Sequence, residues 1–153
     1  MRLPFLDRRE ESNRLRRALA TRESNLVVVY GRRRCGKSRL LLEELRGRRA
    51  VYYVGDERES PLQRRSLASA IGEHVHGFER VGYPDWDALL DRFWREAPHG
   101  LVLALDEFPY LVSASPELPS LLQKRIDAAS SRCLHVVLCG SSQRMMQGLV
   151  LDS

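Results

Sequence analysis

The sequence predicts an α/β domain: a parallel sheet with helices packed on both faces. Four short runs, NLVVVY, AVYYV, LVLAL and LHVVLC, are continuously apolar, as strands buried on both faces require. Segments with helical spacing separate them, and parallel strands need such crossovers. The 153 residues, 43% hydrophobic and 29% charged, suffice for one domain with a real core.

Each element has its own signal. Asp7 followed by Glu10 has capping-box spacing and opens a helix whose stripe includes Leu15 and Leu19. Residues 25–30 form the first strand. Lys37 to Arg46 is a leucine- and glutamate-rich helix ended by Gly47. Residues 50–54 form the second strand. Ser60 and Pro61 serve as N-cap and first position of a helix through Leu67, Ala70, Ile71 and Val75 to about Gly77.

Asp85 caps the next helix, where Trp86, Leu89, Leu90, Phe93 and Trp94 follow i, i+3, i+4, i+7, i+8 spacing. That aromatic stripe reads as core packing. Residues 101–105 form the third strand, FPYLVSASPELP a loop, and a helix follows with Leu121, Leu122 and Ile126. Residues 134–139 form the fourth strand, and GSSQRMMQGLV begins a turn or helix. There is no internal repeat and no low-complexity segment.

Composition excludes several classes. No apolar run approaches the roughly 20 residues of a membrane span, and MRLPFLDRREE lacks the apolar centre of a secretory signal. The expected setting is therefore cytoplasmic. Cys35, Cys133 and Cys139 have no disulfide-framework spacing. Cys133, His135 and Cys139 lie in an apolar strand, which favours core over a metal cluster. His74 and His76, two apart, do not share a helix face and read as surface residues. The formal charge is +5, nearly all of it arginine, lysine occurring only at Lys37 and Lys124. Arginine is mixed with Glu and Asp throughout, as on solvated, salt-bridged helix faces, so a nucleic-acid partner is not favoured.

The chemistry-bearing stretch is VVVYGRRRCGKSRLLLE. Gly31 to Ser38 fits G-x-x-x-x-G-K-[ST], between a strand and a helix. Gly31 lets the chain leave the strand sharply, and Gly36 permits close approach to a phosphate. The intervening amides form an anion nest at the positive end of the helix. Lys37 can reach β- and γ-phosphates, and the Ser38 hydroxyl can take a position on Mg²⁺. With average glycine usage the four fixed positions arise by chance in roughly one such chain in a few hundred. The candidate nucleotide-binding residues are thus Gly31, Arg32, Arg33, Arg34, Cys35, Gly36, Lys37, Ser38 and Arg39. Whether the three loop arginines meet phosphate, a neighbouring subunit or solvent stays open. Cys35 sits where thiol pKa tends to fall, but a small filler is the preferred reading over an oxidation switch.

Asp106 and Glu107 directly follow the third strand. Ligands of open parallel sheets sit beyond the carboxyl ends of the strands. Asp106 can there hold Mg²⁺ as a Walker-B carboxylate does, and Glu107 can orient and deprotonate an attacking water. The fourth strand ends in Ser141 and Ser142: one of them reaches the γ-phosphate or the water, or they cap the next helix.

FLDRREESNRLRRAL, VVVYGRRRCGKSRLLLE, LVLALDEFPYLVSASPELPSLLQK and VVLCGSSQRMM together resemble the archaeal-type AAA-like ATPases of the STAND class of P-loop NTPases. The resemblance covers nearly the whole chain, with GRRR, DEFPYL and CGSS its more particular features. It implies a three-layer fold with strand order 5-1-4-3-2 and Mg-ATP as ligand. Asp106 would hold the metal, Glu107 would be the catalytic carboxylate, and Ser141 or Ser142 the sensor. It places Phe5 to Arg8 near adenine. Members of this group continue into a fifth strand, a lid or winged-helix region and often a nuclease-like domain. Residues 1–153 are accordingly expected to be an ATPase core, incomplete at the C-terminus. The first strand would then be an unpaired edge open to self-association.

The leading expectation is an ATPase that turns over slowly, because no arginine finger is assignable and such a finger is worth about 10³–10⁵ in rate. The alternatives are a nucleotide-dependent switch or assembly module without hydrolysis, and a DNA-associated ATPase resembling a replication-initiator or helicase-loader core. No Asn-Lys-x-Asp motif points to guanine.

Overall fold

Strands built almost wholly of apolar residues need helices on both sides of their sheet, and of the four strands here the two central ones are fully buried and the two edge ones partly so. The computed structural model describes residues 4–30, 36–128 and 133–141, with side chains from Ser12 onward. The elements in order are α1 (Pro4–Ala20), β1 (Leu26–Tyr30), α2 (Lys37–Leu45), β2 (Ala50–Val54) and α3 (Ser60–Ile71). A 3₁₀ turn, Phe78–Arg80, then leads to α4 (Trp86–Glu96), β3 (Val102–Asp106), α5 (Phe108–Ala114), α6 (Leu118–Asp127) and β4 (His135–Gly140).

All strand pairs are parallel, in the order β1-β4-β3-β2. This is the expected order without a fifth strand, and among the described residues β1 pairs with β4 alone. A groove of about 160 Å³ lined by Arg14, Leu15 and residues 27–30 lies beside β1. β3 and β4 are buried at every position.

The two-residue pleat sorts side chains into two cores. Val51, Tyr53, Leu103, Leu105, Val136 and Leu138 face α3 to α6, where Trp86, Phe93, Phe108, Leu111 and Leu122 are buried. On the other face Val102, Ala104, Val137 and Cys139 meet Leu15 and Leu19 of α1 and Leu40, Leu41 and Leu45 of α2. Both tryptophans therefore belong to the core, as their spacing predicts.

Several boundaries differ from the sequence reading. α1 begins at Pro4, so Asp7 lies inside it rather than capping it. Glu59, not Ser60, occupies the N-cap of α3, with Pro61 in the first turn. α3 stops at Ile71, before Gly72, and the chain turns left-handed at Gly77 (φ 78°). The stretch expected as a loop after Glu107 contains α5 and the start of α6. Pro109 and Pro119 each sit in a first turn, where the missing N–H costs nothing. The Asp85 cap is present, its carboxylate accepting from the Ala88 amide at 2.8 Å. Among the described residues no helix is long and apolar enough to cross a membrane.

Candidate active site

A parallel sheet delivers the carboxyl end of every strand to one edge, so the residues that follow the four strands meet. After β1 the chain reaches Gly36, left-handed at φ 83°, and α2 begins. Glycine offers no side chain to cap that helix, which leaves the first-turn amides as a positive end. β3 delivers Asp106 and Glu107, β4 delivers Ser141, and β2 ends at Val54, followed by Gly55.

Two contacts join α2 to the end of β3. The Lys37 ammonium donates to Glu107 Oε1 at 3.2 Å, and the Ser38 hydroxyl donates to Asp106 Oδ2 at 2.7 Å. Lys37 is 8% exposed and Asp106 1%. Burial alone would neutralise both groups. Burial pulls Lys37 down, but the bond to Glu107 and the nearby Asp106 charge hold it above its ordinary range. Burial likewise opposes ionisation of Asp106, yet donors from Tyr52, Ser38 and the Glu107 amide keep its carboxyl below the usual carboxylate value. The site therefore contains a buried ammonium and a buried carboxylate, each stabilised in its charged form by partners in contact with it.

The turn carrying Glu107 is constrained. Glu107 has φ 51° and ψ 42°, and among the described residues it is the one non-glycine with positive φ. Its amide donates to Asp106 Oδ1 at 2.8 Å, and the Gly55 amide donates to the Asp106 carbonyl at 2.8 Å. The αL conformation aims the Glu107 side chain back towards Lys37 while α5 starts behind it. Backbone strain of this kind collects at functional sites.

An all-oxygen set, the Ser38 hydroxyl and the anionic Asp106 carboxylate, suits a hard divalent cation such as Mg²⁺. Cys139, on the same sheet face, is buried, and burial followed by the Asp106 charge pushes its thiol up, so it stays neutral and offers no soft anionic ligand. At the opposite end of β4 Cys133 Sγ lies 3.3 Å from His135 Nε2, and His135 Nδ1 accepts from the Asn25 amide at 3.3 Å. The pair Cys133–His135 and Cys139 thus lie at opposite ends of β4.

Of the residues singled out from sequence, Lys37, Ser38, Asp106 and Glu107 come together, with Gly36 beside them and Ser141, half-buried, at the end of β4. The Arg39 side chain instead lies 4.0 Å from Glu43 on the exposed side of α2. Gly31, Arg32, Arg33, Arg34, Cys35 and Ser142 lie outside the described residues, as do the side chains of Phe5 to Arg8. Two residues at the site carried no signal in the sequence. Tyr52, read as a strand residue, donates its hydroxyl to Asp106 Oδ2. Gly55 packs against the Glu107 carbonyl so closely that a side chain would collide with it.

Comparison with known proteins agrees with this architecture. A family model described as an ATPase domain predominantly from Archaea matches residues 5–153. An uncharacterized protein of Methanocaldococcus jannaschii is 30% identical over 149 residues, covering 97% of this chain and 32% of that protein. The chain thus spans about a third of the length of that relative. The Aeropyrum pernix ORC2 protein, solved as ADPNP–ADP complexes, superposes with a TM-score of 0.61 at 19% identity, over 95% of this chain and 43% of that one. At that identity the likeness is one of fold. The family match spans nearly the whole chain, and the chain belongs to that ATPase domain family.

Proposed function

We propose that this ATPase-family domain binds Mg-ATP at the carboxyl edge of its sheet and hydrolyses it slowly, using the change of nucleotide state as a conformational switch. The observation that carries the reading is the convergence of Lys37 with Glu107 and of Ser38 with Asp106. A lysine at a helix start beside a glycine turn, facing two carboxylates, is what phosphoryl transfer to water needs. The Aeropyrum pernix neighbour, which shares the fold, was solved with adenine nucleotides.

In this reading the loop amides and Lys37 hold the β- and γ-phosphates, and Lys37 leaves Glu107 as it does so. Glu107, freed, accepts the proton of a water lined up with the γ-phosphorus. Ser38 and Asp106 would hold the magnesium, which offsets charge on the phosphate oxygens when bound. Ser141 lies at the end of β4, from where it can report the γ-phosphate. With no arginine finger assigned, turnover stays slow, and the output is the shift between nucleotide states.

The test is a pair of substitutions read by nucleotide binding and phosphate release. Lys37→Ala abolishes binding. Glu107→Gln retains binding and stops turnover, and a Glu107→Gln rate equal to that of the unchanged protein would remove Glu107 from the catalytic role.

A further inference from the structure

Tyr52 is a β2 residue with no counterpart in the loop or acidic motifs, yet its hydroxyl ends on the carboxylate at the centre of the site. Side chains alternate along β2, so Tyr53 enters the core beneath α3 to α6 while Tyr52 points to the α1–α2 face. Its register partner on β3 is Ala104, two residues before Asp106 and on the same face. The small Ala104 side chain leaves room for the phenol to run along the sheet to Asp106.

Three oxygen and nitrogen donors hold that carboxylate, the Glu107 amide on Oδ1 and Ser38 Oγ and Tyr52 Oη on Oδ2, with the buried Cys139 thiol also against it. The three donors come from three separate segments, and with both oxygens bonded, rotation of the carboxylate plane would break at least one bond. Ser38 is the donor whose oxygen a cation would recruit. Tyr52 reaches Asp106 Oδ2 from β2, a different element from the α2 that carries Ser38, so it is a second donor that can stay on Oδ2 when Ser38 turns to a cation.

We propose that Tyr52 is a positioning residue for magnesium: its hydroxyl holds Asp106 Oδ2 in the orientation that lets Ser38 and Asp106 share the cation. The proposal rests on the Mg-ATP reading above. It separates Tyr52 from a plain core aromatic, which would serve through ring volume alone and would tolerate phenylalanine.

The experiment uses the full chain and a fluorescent ATP analogue, titrated once in EDTA and once at fixed analogue with increasing Mg²⁺. In EDTA, binding relies on the loop amides and Lys37, so Tyr52→Phe matches the unchanged protein. With Mg²⁺, Tyr52→Phe needs about 10- to 100-fold more cation for half-maximal effect, the usual cost of losing an outer partner of a metal ligand. An Mg²⁺ requirement identical to that of the unchanged protein overturns the proposal, as does an equal loss with and without Mg²⁺. If the unchanged protein fails to bind the analogue at all, the Mg-ATP reading itself falls first. A second measurement does not depend on the variant folding. In protein grown with 3-fluorotyrosine, adding Mg²⁺ to the nucleotide complex shifts a fluorine resonance among the five tyrosines; five unmoved resonances overturn the proposal.

Discussion

A methyl group on Gly55 would lie 2.9 Å from the Glu107 carbonyl oxygen and 3.1 Å from Leu111 Cγ. The first neighbour is backbone, and it belongs to the residue whose left-handed conformation aims its carboxylate at Lys37. Relief of the clash must move Glu107 or shift β2 away from β3, and the Gly55 amide is already bonded to the Asp106 carbonyl. Gly55→Ala should therefore cost about 1–3 kcal/mol of stability through overpacking. It should reduce turnover more than nucleotide affinity, by up to about 100-fold, because roughly 1 Å of misplacement at a reacting group has that effect. A thermal melt and the split between kcat and KM measure the two parts. Unchanged kcat in a folded Gly55→Ala variant would mean that the Glu107 turn does not need this close packing.

Between elements, the clearest polar tie is the one joining α1 to α2 on the face that carries Ser38. Arg16 meets the Glu44 carboxylate with two bonds, Nη2 to Oε1 at 2.9 Å and Nε to Oε2 at 3.3 Å, and Ser12 donates to the same carboxylate. The Arg16 bond, opposed by burial and assisted by Ser12, holds the Glu44 carboxyl below its ordinary value of 4.5. A depressed folded-state pKa means that this stabilisation is complete above pH 4.5 and disappears as pH falls through the lower folded value. Glu44→Gln should thus lower stability slightly near neutral pH, since the exposed guanidinium is screened by solvent. It should also flatten the acid limb of the stability curve below pH 4.5, which urea melts at pH 7 and pH 3.5 would record.

The four strands were legible at this scale because they are runs of almost wholly apolar residues, as burial of β3 and β4 on both faces requires, although β1 and β2 at the sheet edges are only partly buried, and α4 because its stripe is unbroken. α5 was not legible. SASPELP carries two prolines and two serines that read as turn chemistry, but Pro119 lies in a first turn of α6 and Ser115 just past the end of α5. Ser115 is buried and accepts from Trp86 Nε1 at 2.6 Å, a tertiary contact that local spacing does not encode.

The molecule as a whole builds its site from pieces that are far apart in sequence. Lys37, Ser38, Asp106 and Glu107 could be found from local patterns, since each sits beside a strand end that parallel topology sends to one edge. Tyr52 and Gly55 could not, because their roles depend on the register of β2 against β3, Tyr52 opposite Ala104 and Val54 opposite Asp106. A nucleotide bound as proposed would touch α2 and the ends of β3 and β4, and so would link helices on one face to the two central strands. Unfolding must then release the ligand along with the core, and Mg-ATP should stabilise the entire domain. At a ligand concentration about 100 times Kd the gain is about 2.7 kcal/mol. For a domain of about 150 residues, with about 2–4 °C per kcal/mol, the melting midpoint should rise by about 5–11 °C. Lys37→Ala should show no such rise, and Glu107→Gln should show one at least as large as the unchanged protein, since its binding residues are intact. A midpoint unmoved by saturating Mg-ATP in the unchanged protein would mean that the four converging side chains do not form a nucleotide site.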